Sequence, residues 1–413
     1  MDVIDEILSQ HAEEASNLWS LHQHAVRAGR CALKDLRRLD DRIEAHVDGL
    51  RIAGEAGWKM CQRQLTDDDS GGAFTATVLA LEARDPERIS ALLAVGEASA
   101  SLCTGIVSAF GWVPRDVLQG TVKGLLESAS MFRRCIGLAS CAAHRVDPGP
   151  YLDAALRDGG TSRMAALRAA GELGRVELVP GTPKAESDQQ CHAWGTWSSV
   201  LLGNRGAAIE VLKQTGMVSG PHRARAFRLA LQAMDLTMAH SVLQDVATDP
   251  QHGRWLIEGS GIAGDPAYVP WLIDNMRVTE TARLAGEAFT LITGVDLVHH
   301  SLEGEPPLSF DSGPNGDPED PNVDMDPDSG LPWPDPEKVQ QWWTSSADRF
   351  HLGTRHFMGA PVTRAHCLDV LKNGYQRQRI LAAHYLCLLE PGTPLFNTSA
   401  PAWRQQRLLA KMT

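Results

Sequence analysis

The side chains of this chain that most readily suggest chemistry are carboxylates gathered in one segment. Residues 303–337 contain eleven acidic residues and nine prolines, and they contain no lysine or arginine. The acidic residues are Glu303, Glu305, Asp311, Asp317, Glu319, Asp320, Asp324, Asp326, Asp328, Asp335 and Glu337. Because like charges repel and each proline removes a backbone donor, we expect this segment to form neither a helix nor a central strand. A polyanion of this kind suits a cation or a basic partner.

Part of the acidic segment resembles a calcium-binding loop. Asp324, Asp326 and Asp328 alternate along the chain, so their carboxylates could converge on a hard cation. However, Gly330 stands one place late for the EF-hand spacing, and three prolines stiffen the loop. We therefore expect no resident metal and no other cofactor.

Other candidate motifs point to structure rather than to catalysis. The spacing G-x-G-x-x-G occurs at Gly259, Gly261 and Gly264, but Asp265 and Pro266 follow at once and mark the start of a new helix. We find no His-Glu-x-x-His motif, no Gly-x-Ser-x-Gly elbow and no phosphate loop. The chain is therefore predicted not to be an enzyme.

Aromatic residues within and after the acidic segment leave two interpretations open. The segment is either a solvated linker or a contact surface, in which the aromatic groups hold it against the chain's own helices or against a partner. The contact-surface interpretation assigns partner binding to Asp317, Glu319, Asp320, Asp324, Asp326, Asp328, Trp333, Asp335, Trp342 and Trp343. Such a charged surface would capture a basic protein, and its polarity argues against direct binding of nucleic acid.

A recurring spacing predicts the elements that carry this segment. An arginine followed three residues later by a small residue occurs at Arg134, Arg163, Arg223, Arg283 and Arg379, with weaker members at Gln190 and Arg254. From Arg134 to Arg283 the successive steps are 29, 27, 33, 31 and 29 residues, a period typical of repeated helical pairs. Long runs of alternating β-branched residues are missing. The sequence thus predicts an all-α fold.

Four regions follow from the pattern along the chain. Residues 1–66 are predicted to be a helical N-terminal region with two long helices, at 3–26 and 33–65. Residues 67–300 hold the repeats, residues 301–337 form the acidic segment, and residues 338–413 return to helices at 362–371 and 376–389.

Composition bounds the remaining possibilities. The net charge is −12, and most of it comes from the acidic segment. The eight cysteines form no Cys-x-x-Cys pair, which favours free thiols in a reducing compartment. The acidic start of the sequence lacks the basic residues of a signal peptide, and no apolar run approaches about 20 residues. We expect a cytoplasmic protein without a membrane span.

Several stretches carry a resemblance to a known family. Residues 264–294 resemble the short HEAT-like repeats, and residues 151–174 look like a second copy. Beyond the repeats, the stretches are residues 7–15, 33–58, 331–336 and 391–409, which include the sequence Leu-Pro-Trp-Pro-Asp-Pro of the acidic segment. The chain resembles a family of bacterial HEAT-like proteins encoded near type VI secretion genes. This resemblance implies a HEAT-like solenoid of helical pairs, with a helical N-terminal cap and an acidic insert.

The resemblance also implies a function. A protein similar to this chain acts as the immunity protein of a secreted DNase toxin, so we expect a chain that binds and neutralises a cognate nuclease. Two alternatives stay open at this point. One is a chaperone or adaptor that loads a type VI effector, and the other is a lyase-type enzyme, as some HEAT-like proteins are.

Overall fold

The computed structural model of the chain describes residues 5–65, 68–178, 188–308, 310, 313 and 326–412. Within these residues the secondary structure is twenty-one α-helices, a few short 3-10 turns and one hairpin of two-residue strands. The all-α prediction is confirmed. The chain divides into two compact units, which we call unit 1 (residues 1–27, 31–203 and 390–413) and unit 2 (residues 28–30 and 204–389).

Unit 1 contains the first eleven helices and the last one. These are α1 (Asp5–Ala25), α2 (Leu33–Ile52), α3 (Glu55–Gln64), α4 (Ser70–Glu82), α5 (Pro86–Ala98), α6 (Ala100–Trp112), α7 (Thr121–Leu126), α8 (Met131–His144), α9 (Pro150–Arg157), α10 (Gly160–Leu173), α11 (Gln189–Leu201) and α21 (Ala402–Leu409). Helices α4, α6, α8, α10 and α11 pack against one another in that order. The intervening helices α5, α7 and α9 each pack on the next helix of this row.

Unit 2 contains the other nine helices and the hairpin. They are α12 (Ala207–Met217), α13 (Arg223–Ala233), α14 (Leu236–Ala247), α15 (Gly253–Ala263), α16 (Val269–Asn275), α17 (Ala282–Thr293), α18 (Pro336–Ser346), β1 (His356–Phe357), β2 (Ala360–Pro361), α19 (Arg364–Asn373) and α20 (Gln376–Leu389). Here α13, α15 and α17 pack in series, while α12, α14 and α16 each pack on the following helix of that row.

Several of the arginines that define the sequence period donate to backbone carbonyls between paired helices. Arg134 on α8 donates to the carbonyls of Ser128 and Ala129, both at 3.0 Å, in the turn after α7. Arg379 on α20 donates to the carbonyl of Leu371 near the end of α19, at 2.8 Å. The last carbonyls of a helix have no partner within it and carry partial negative charge, so a guanidinium group there stabilises the turn.

One predicted helix proves to be two. The sequence predicts a continuous helix over residues 33–65, but the chain turns at Ala53 and Gly54 between α2 and α3. Gly54 has a φ of 56° and a ψ of −119°, a backbone conformation that only glycine adopts without strain. The prediction of one helix was wrong because the helical spacing of apolar residues continues across Gly54, although the glycine ends the helix.

The glycine-rich spacing at residues 259–264 lies at a helix end, as expected. Gly259 and Gly261 are inside α15, and Gly264 ends that helix in the left-handed conformation with a φ of 74°. Asp265 then accepts the N–H of Ala267 at the start of the next turn, which continues into α16. No strand precedes these glycines among the described residues, so the dinucleotide-binding arrangement is not formed.

The four regions predicted from the sequence do not coincide with the two units. Residues 5–65 pack together with α4 in unit 1, and residues 338–412 are divided between unit 2 and unit 1 at residues 389 and 390. The predicted C-terminal helices are present, since α20 spans Gln376–Leu389 and α19 begins at Arg364.

A buried pair of ionisable groups joins the first and last helices of unit 1. Asp40 on α2 accepts the N–H of Ala402 at the start of α21, at 2.6 Å. His22 on α1 lies beside it, with Nε2 3.3 Å from Oδ1, and both side chains are only 2% exposed. Burial raises the pKa of Asp40 from 3.8 to about 7, and burial lowers the pKa of His22 from 6.5 to about 4. Both groups are therefore favoured in their neutral forms.

Asp40→Asn should change how stability depends on pH. The raised pKa means that Asp40 favours folding below pH 4 and that this contribution is lost as the pH rises to about 7. The amide can still accept from Ala402 but does not titrate. The free energy of unfolding of the variant, minus that of the wild type, should therefore rise between about pH 4 and about pH 7, by up to ~1.4 kcal/mol per pH unit. Urea denaturation followed by circular dichroism measures this difference.

The neighbouring carboxylate supplies a matched control for this experiment. Asp41 is exposed and pairs with Arg37 at 3.0 Å. Because Asp40 remains in place, Asp41→Asn should keep most of the loss of stability that Asp40 causes between about pH 4 and about pH 7. A flat difference between Asp40→Asn and the wild type would contradict the assignment.

Candidate interface of the acidic segment

The structure describes six of the ten residues that the sequence assigns to partner binding. Asp326, Asp328, Trp333, Asp335, Trp342 and Trp343 are described. Asp317, Glu319, Asp320 and Asp324 lie outside the described residues, so their role stays a prediction. All six described residues lie in unit 2. Asp326, Asp328, Trp333 and Asp335 belong to the last part of the acidic segment, and Trp342 and Trp343 lie on α18.

Asp326 forms a two-pronged ion pair with an arginine of the helical row. Both terminal nitrogens of Arg283, on α17, lie 2.7 Å from the two carboxylate oxygens of Asp326. The pair is largely buried, with side-chain exposures of 8% for Arg283 and 12% for Asp326. Hydrogen bonding from Arg283 lowers the pKa of Asp326 below its ordinary value. A fork-to-fork pair of this kind fixes both the position and the orientation of the carboxylate.

Asp328 repeats the arrangement on the preceding helix of the row. Arg254, on α15, donates to the two oxygens of Asp328 at 2.9 and 2.5 Å. The Asp328 carboxylate is buried, and the same arginine also donates to the carbonyl of Glu280 at 2.9 Å. Because both aspartates are engaged by guanidinium groups, neither is free to serve in the calcium loop that the sequence suggested.

Two aromatic rings complete the attachment by stacking on Arg283. The guanidinium carbon lies 4.7 Å from the ring centre of Phe310 and 4.7 Å from that of Trp333. The two rings also contact each other edge to face, with their centres 4.8 Å apart. A guanidinium group over an aromatic face gains from the ring's negative potential, more so where water is excluded. The aromatic groups of the segment therefore contact the chain's own helix.

The end of the acidic segment is held by backbone pairing. Glu303 and Pro334 form an isolated antiparallel bridge. The N–H of Gly304 donates to the carbonyl of Trp333, and the N–H of Asp335 donates to the carbonyl of Leu302, both at 2.8 Å. The two ends of the segment thus run side by side.

Asp335 caps the helix that follows. Its carboxylate accepts the N–H groups of Glu337 and Lys338, both at 3.1 Å, and Pro336 occupies the first turn of α18. The hydrogen bond from the N–H of Lys338 lowers the pKa of Asp335. An aspartate before a proline at a helix start is a favoured capping arrangement. In this structure the Asp335 carboxylate therefore stabilises the start of α18.

Trp342 and Trp343 contribute to the core of unit 2. Trp343 is 8% exposed and packs with Val339 and Phe350. Trp342 is half-buried and meets Phe289 of α17 edge to face, with ring centres 5.6 Å apart. Trp342 therefore joins α18 to α17 of the row, while Trp343 packs in the core at Phe350.

Three acidic residues at the ends of the segment are exposed. Glu303 and Glu305 face solvent, and Glu337 forms an exposed pair with Arg277. Such pairs on the surface contribute little to stability. Among the described acids of the segment, these are the ones with carboxylates open to a partner.

The sequence alone does not connect the acidic segment with its arginine partners. In the sequence, Arg254 and Arg283 mark the period, and Asp326 and Asp328 are candidate binding groups. Arg254 and Arg283 stand at equivalent positions of neighbouring row helices, and the two aspartates lie in a turn in which the N–H of Ser329 donates to the carbonyl of Asp326. The sequence carries no local signal for this pairing, because the partners are 43 and 74 residues apart.

Comparison with known proteins returned no match to a family model, a curated protein or a solved structure. Within the described ranges, no group of three or more histidines, cysteines or acids is arranged to hold a metal ion. In the same part of the chain, no helix is both long and apolar enough to cross a membrane.

Arg283→Met should lower the free energy of unfolding of unit 2 by about 3–5 kcal/mol. The substitution leaves Asp326 largely buried without its cation and removes the group on which Phe310 and Trp333 stack. Urea denaturation measures the loss. Cleavage by a protease specific for acidic residues should also become faster within residues 303–337.

An exposed ion pair of the same unit provides the control. Arg277 pairs with Glu337, and their side chains are 49% and 64% exposed. Arg277→Met should cost at most about 1 kcal/mol and leave the protease sites unchanged. Equal effects of the two substitutions would contradict the role given to Arg283.

Asp335→Ala should destabilise unit 2 by about 1 kcal/mol, because two N–H groups at the start of α18 lose their acceptor. Asp335→Asn should cost much less, since an asparagine oxygen accepts the same hydrogen bonds. Hydrogen exchange of the Glu337 and Lys338 amides measures the local effect. Equal protection of these amides in the alanine variant and the wild type would show that Asp335 does not cap α18.

Proposed function

We propose that the chain is an immunity protein that binds a basic nuclease toxin of a type VI secretion system and neutralises it. In this proposal the acidic segment supplies the charge that attracts the nuclease and covers the surface meant for phosphate groups. The family resemblance of the sequence motivates the nuclease and the secretion system. Asp317, Glu319, Asp320 and Asp324 are the acids that we assign to the partner.

The observation that carries the proposal is the attachment of the acidic segment to the helical row. Asp326 and Asp328 are locked to Arg283 and Arg254, and Trp333 stacks on the first of these arginines. A solvated linker needs no such fixation. Holding an acidic chain at fixed points reduces the conformational entropy that a partner would otherwise have to overcome, and this favours tight binding.

We further propose that the paired helices form a HEAT-like solenoid with a helical N-terminal cap. Three features support this interpretation. Alternate helices pack in series within each unit, the helices between them each pack on the next helix of the row, and arginines such as Arg134 on α8 and Arg379 on α20 donate to carbonyls between paired helices. Extended rows of helices of this kind offer broad binding surfaces.

The decisive test is co-expression of the chain with each protein encoded beside its gene. Any stable complex is then compared with the free partner for DNA cleavage. We expect a stoichiometric complex in which cleavage is lost. A complex that still cuts DNA would favour the adaptor function and contradict the immunity function.

Neutralising the four assigned acids should weaken such a complex. The variant combines Asp317→Asn, Glu319→Gln, Asp320→Asn and Asp324→Asn, and it leaves Asp326 and Asp328 intact because those residues stabilise the fold. We expect the dissociation constant to rise at least ~10-fold and its salt dependence to become shallower, since fewer charges attract the basic partner. Titration at low and high salt measures both effects.

A matched variant removes the same number of charges elsewhere. Glu6, Glu97, Asp116 and Asp245 are exposed acids outside the segment. Their conversion to amides should leave the affinity within about twofold of the wild type. Equal losses in the two variants would mean that overall charge, rather than the acidic segment, determines binding.

A further inference from the structure

Two histidines from different helices meet where α1 packs on α2 in unit 1. The Nδ1 atom of His11, on α1, lies 3.1 Å from the Nδ1 atom of His46, on α2. The two rings meet edge to face, with their centres 5.2 Å apart, and both side chains are partly buried. The histidines are 35 residues apart in the sequence, so no spacing motif indicates the pair.

A glycine of α2 makes room for the His11 ring. A Cβ atom at Gly49 would lie 2.8 Å from Nε2 of His11 and 3.0 Å from Cδ2 and Cε1. These distances are shorter than the ~3.5–4.0 Å at which non-bonded carbon atoms pack. Glycine inside a helix lowers its stability relative to alanine, and the placement of the imidazole explains why α2 has one here. The ring of His11 thus lies against α2, with Nδ1 beside His46.

The separation of the two nitrogens is close to that of two ligands on one metal ion. Imidazole nitrogens bind zinc at about 2.0–2.1 Å, so two of them in tetrahedral geometry lie about 3.3 Å apart. Without a metal, one Nδ1 carries a hydrogen and donates it to the lone pair of the other. A metal ion instead takes both lone pairs, and the hydrogen of the donor ring moves to its Nε2.

The groups around the pair favour a neutral His46. Burial lowers the pKa of His46 from its ordinary 6.5, with His11 adding to this effect, Glu14 opposing it and Arg42 adding to it. A metal ion binds the neutral imidazole, so a lowered pKa favours ligation near neutral pH. Glu14 follows His11 by one turn of α1, and its carboxylate attracts a cation bound at the pair.

Two other histidines have Nδ1 atoms that are already engaged by backbone carbonyls. Nδ1 of His24 lies 2.9 Å from the carbonyl oxygen of Ser20, and Nδ1 of His300 lies 2.9 Å from that of Asp296. The His300 ring also contacts the ring of its neighbour His299, with their centres 5.3 Å apart. Contact between two imidazoles therefore does not by itself bring two lone pairs together, and these histidines serve as controls.

We propose that His11 and His46 form a binding site for a divalent transition-metal ion such as Zn2+ or Cu2+. Imidazole nitrogens favour these ions over Mg2+ and Ca2+, which prefer oxygen ligands. The described part of the chain brings no group of three ligands together, so water molecules complete the coordination. Two protein ligands hold an ion less tightly than the four of a structural zinc site, so the ion is exchangeable and links α1 to α2 while bound. The inference concerns unit 1 and does not depend on the proposed function.

The test uses the full-length chain near neutral pH and Cu2+ held by iminodiacetate. This chelator leaves coordination positions for two imidazoles, so the probe binds most tightly where two of them converge. Titration calorimetry gives the affinity, and pulsed electron paramagnetic resonance counts the imidazoles on the copper. We expect one tight site with two coordinated imidazoles.

Substitutions of the ligands should weaken this site. His11→Gln and His46→Gln each leave a single imidazole, and we expect the dissociation constant to rise at least ~10-fold. Gly49→Ala keeps both histidines but places a methyl group against the His11 ring, so it should cause a smaller rise. His24→Gln and the double variant His299→Gln, His300→Gln are the controls and should leave the affinity unchanged.

Zn2+ alone provides a second measurement. An ion that binds only the folded chain stabilises it by mass action, so excess Zn2+ should raise the midpoint of thermal unfolding. The increase should be smaller in His46→Gln than in the wild type and in His24→Gln. Equal increases in all three proteins would contradict the site.

The copper probe gives the outcomes that decide the inference. Equal affinity for the wild type and His46→Gln, or a single imidazole on the copper in the wild type, would show adventitious binding at surface histidines only and overturn the site. Circular dichroism shows whether each variant folds. If a histidine variant does not fold, Gly49→Ala decides, because an affinity equal to that of the wild type would overturn the site as well.

Discussion

The fold of this chain depends on arginines near the starts of helices, which bond to backbone carbonyls and to aspartates of the acidic segment. A helix ends with carbonyls that have no partner within it, and the chain satisfies several of them with an arginine from the following helix. Arg379 does so at Leu371 of α19, and Arg134 donates to the carbonyls of Ser128 and Ala129 in the turn after α7. Arg254 and Arg283 occupy the same kind of position but engage aspartates of the acidic segment. One structural device therefore closes the turns and also holds the acidic segment in place.

Because arginines bind part of the acidic segment, its acidic residues do not all have the same role. The chain's net charge of −12 depends mainly on these residues, but their contributions differ. Two aspartates are paired with arginines, Asp326 with the buried Arg283 and Asp328 with the partly exposed Arg254, and one caps a helix. The charges open to a partner are those that the helices do not use. Substitutions that treat all the acids alike would therefore mix a loss of stability with a loss of recognition.

The sequence predicted much of the local structure, because local structure depends on short-range chemistry. The cap at Asp265, the helix end at Gly264 and the helix at Gln376–Leu389 all follow from residues a few positions apart. The break at Gly54 was missed because an apolar pattern continued across it. The pairing of Asp326 with Arg283 spans 43 residues, and single-sequence patterns give no measure of such distances.

The joining of α21 to α2 has a consequence for the synthesis of the chain. Unit 1 needs residues 390–413 as well as residues 31–203, whereas all but three residues of unit 2 lie in the continuous stretch 204–389. During translation, the hydrogen bond from the Ala402 amide to Asp40 cannot form until the whole of that stretch has been synthesised. The contacts of Val26 and Leu36 with Ala402 also form only after that point. A chain that ends within residues 204–389 lacks α21 and therefore leaves this apolar site uncovered.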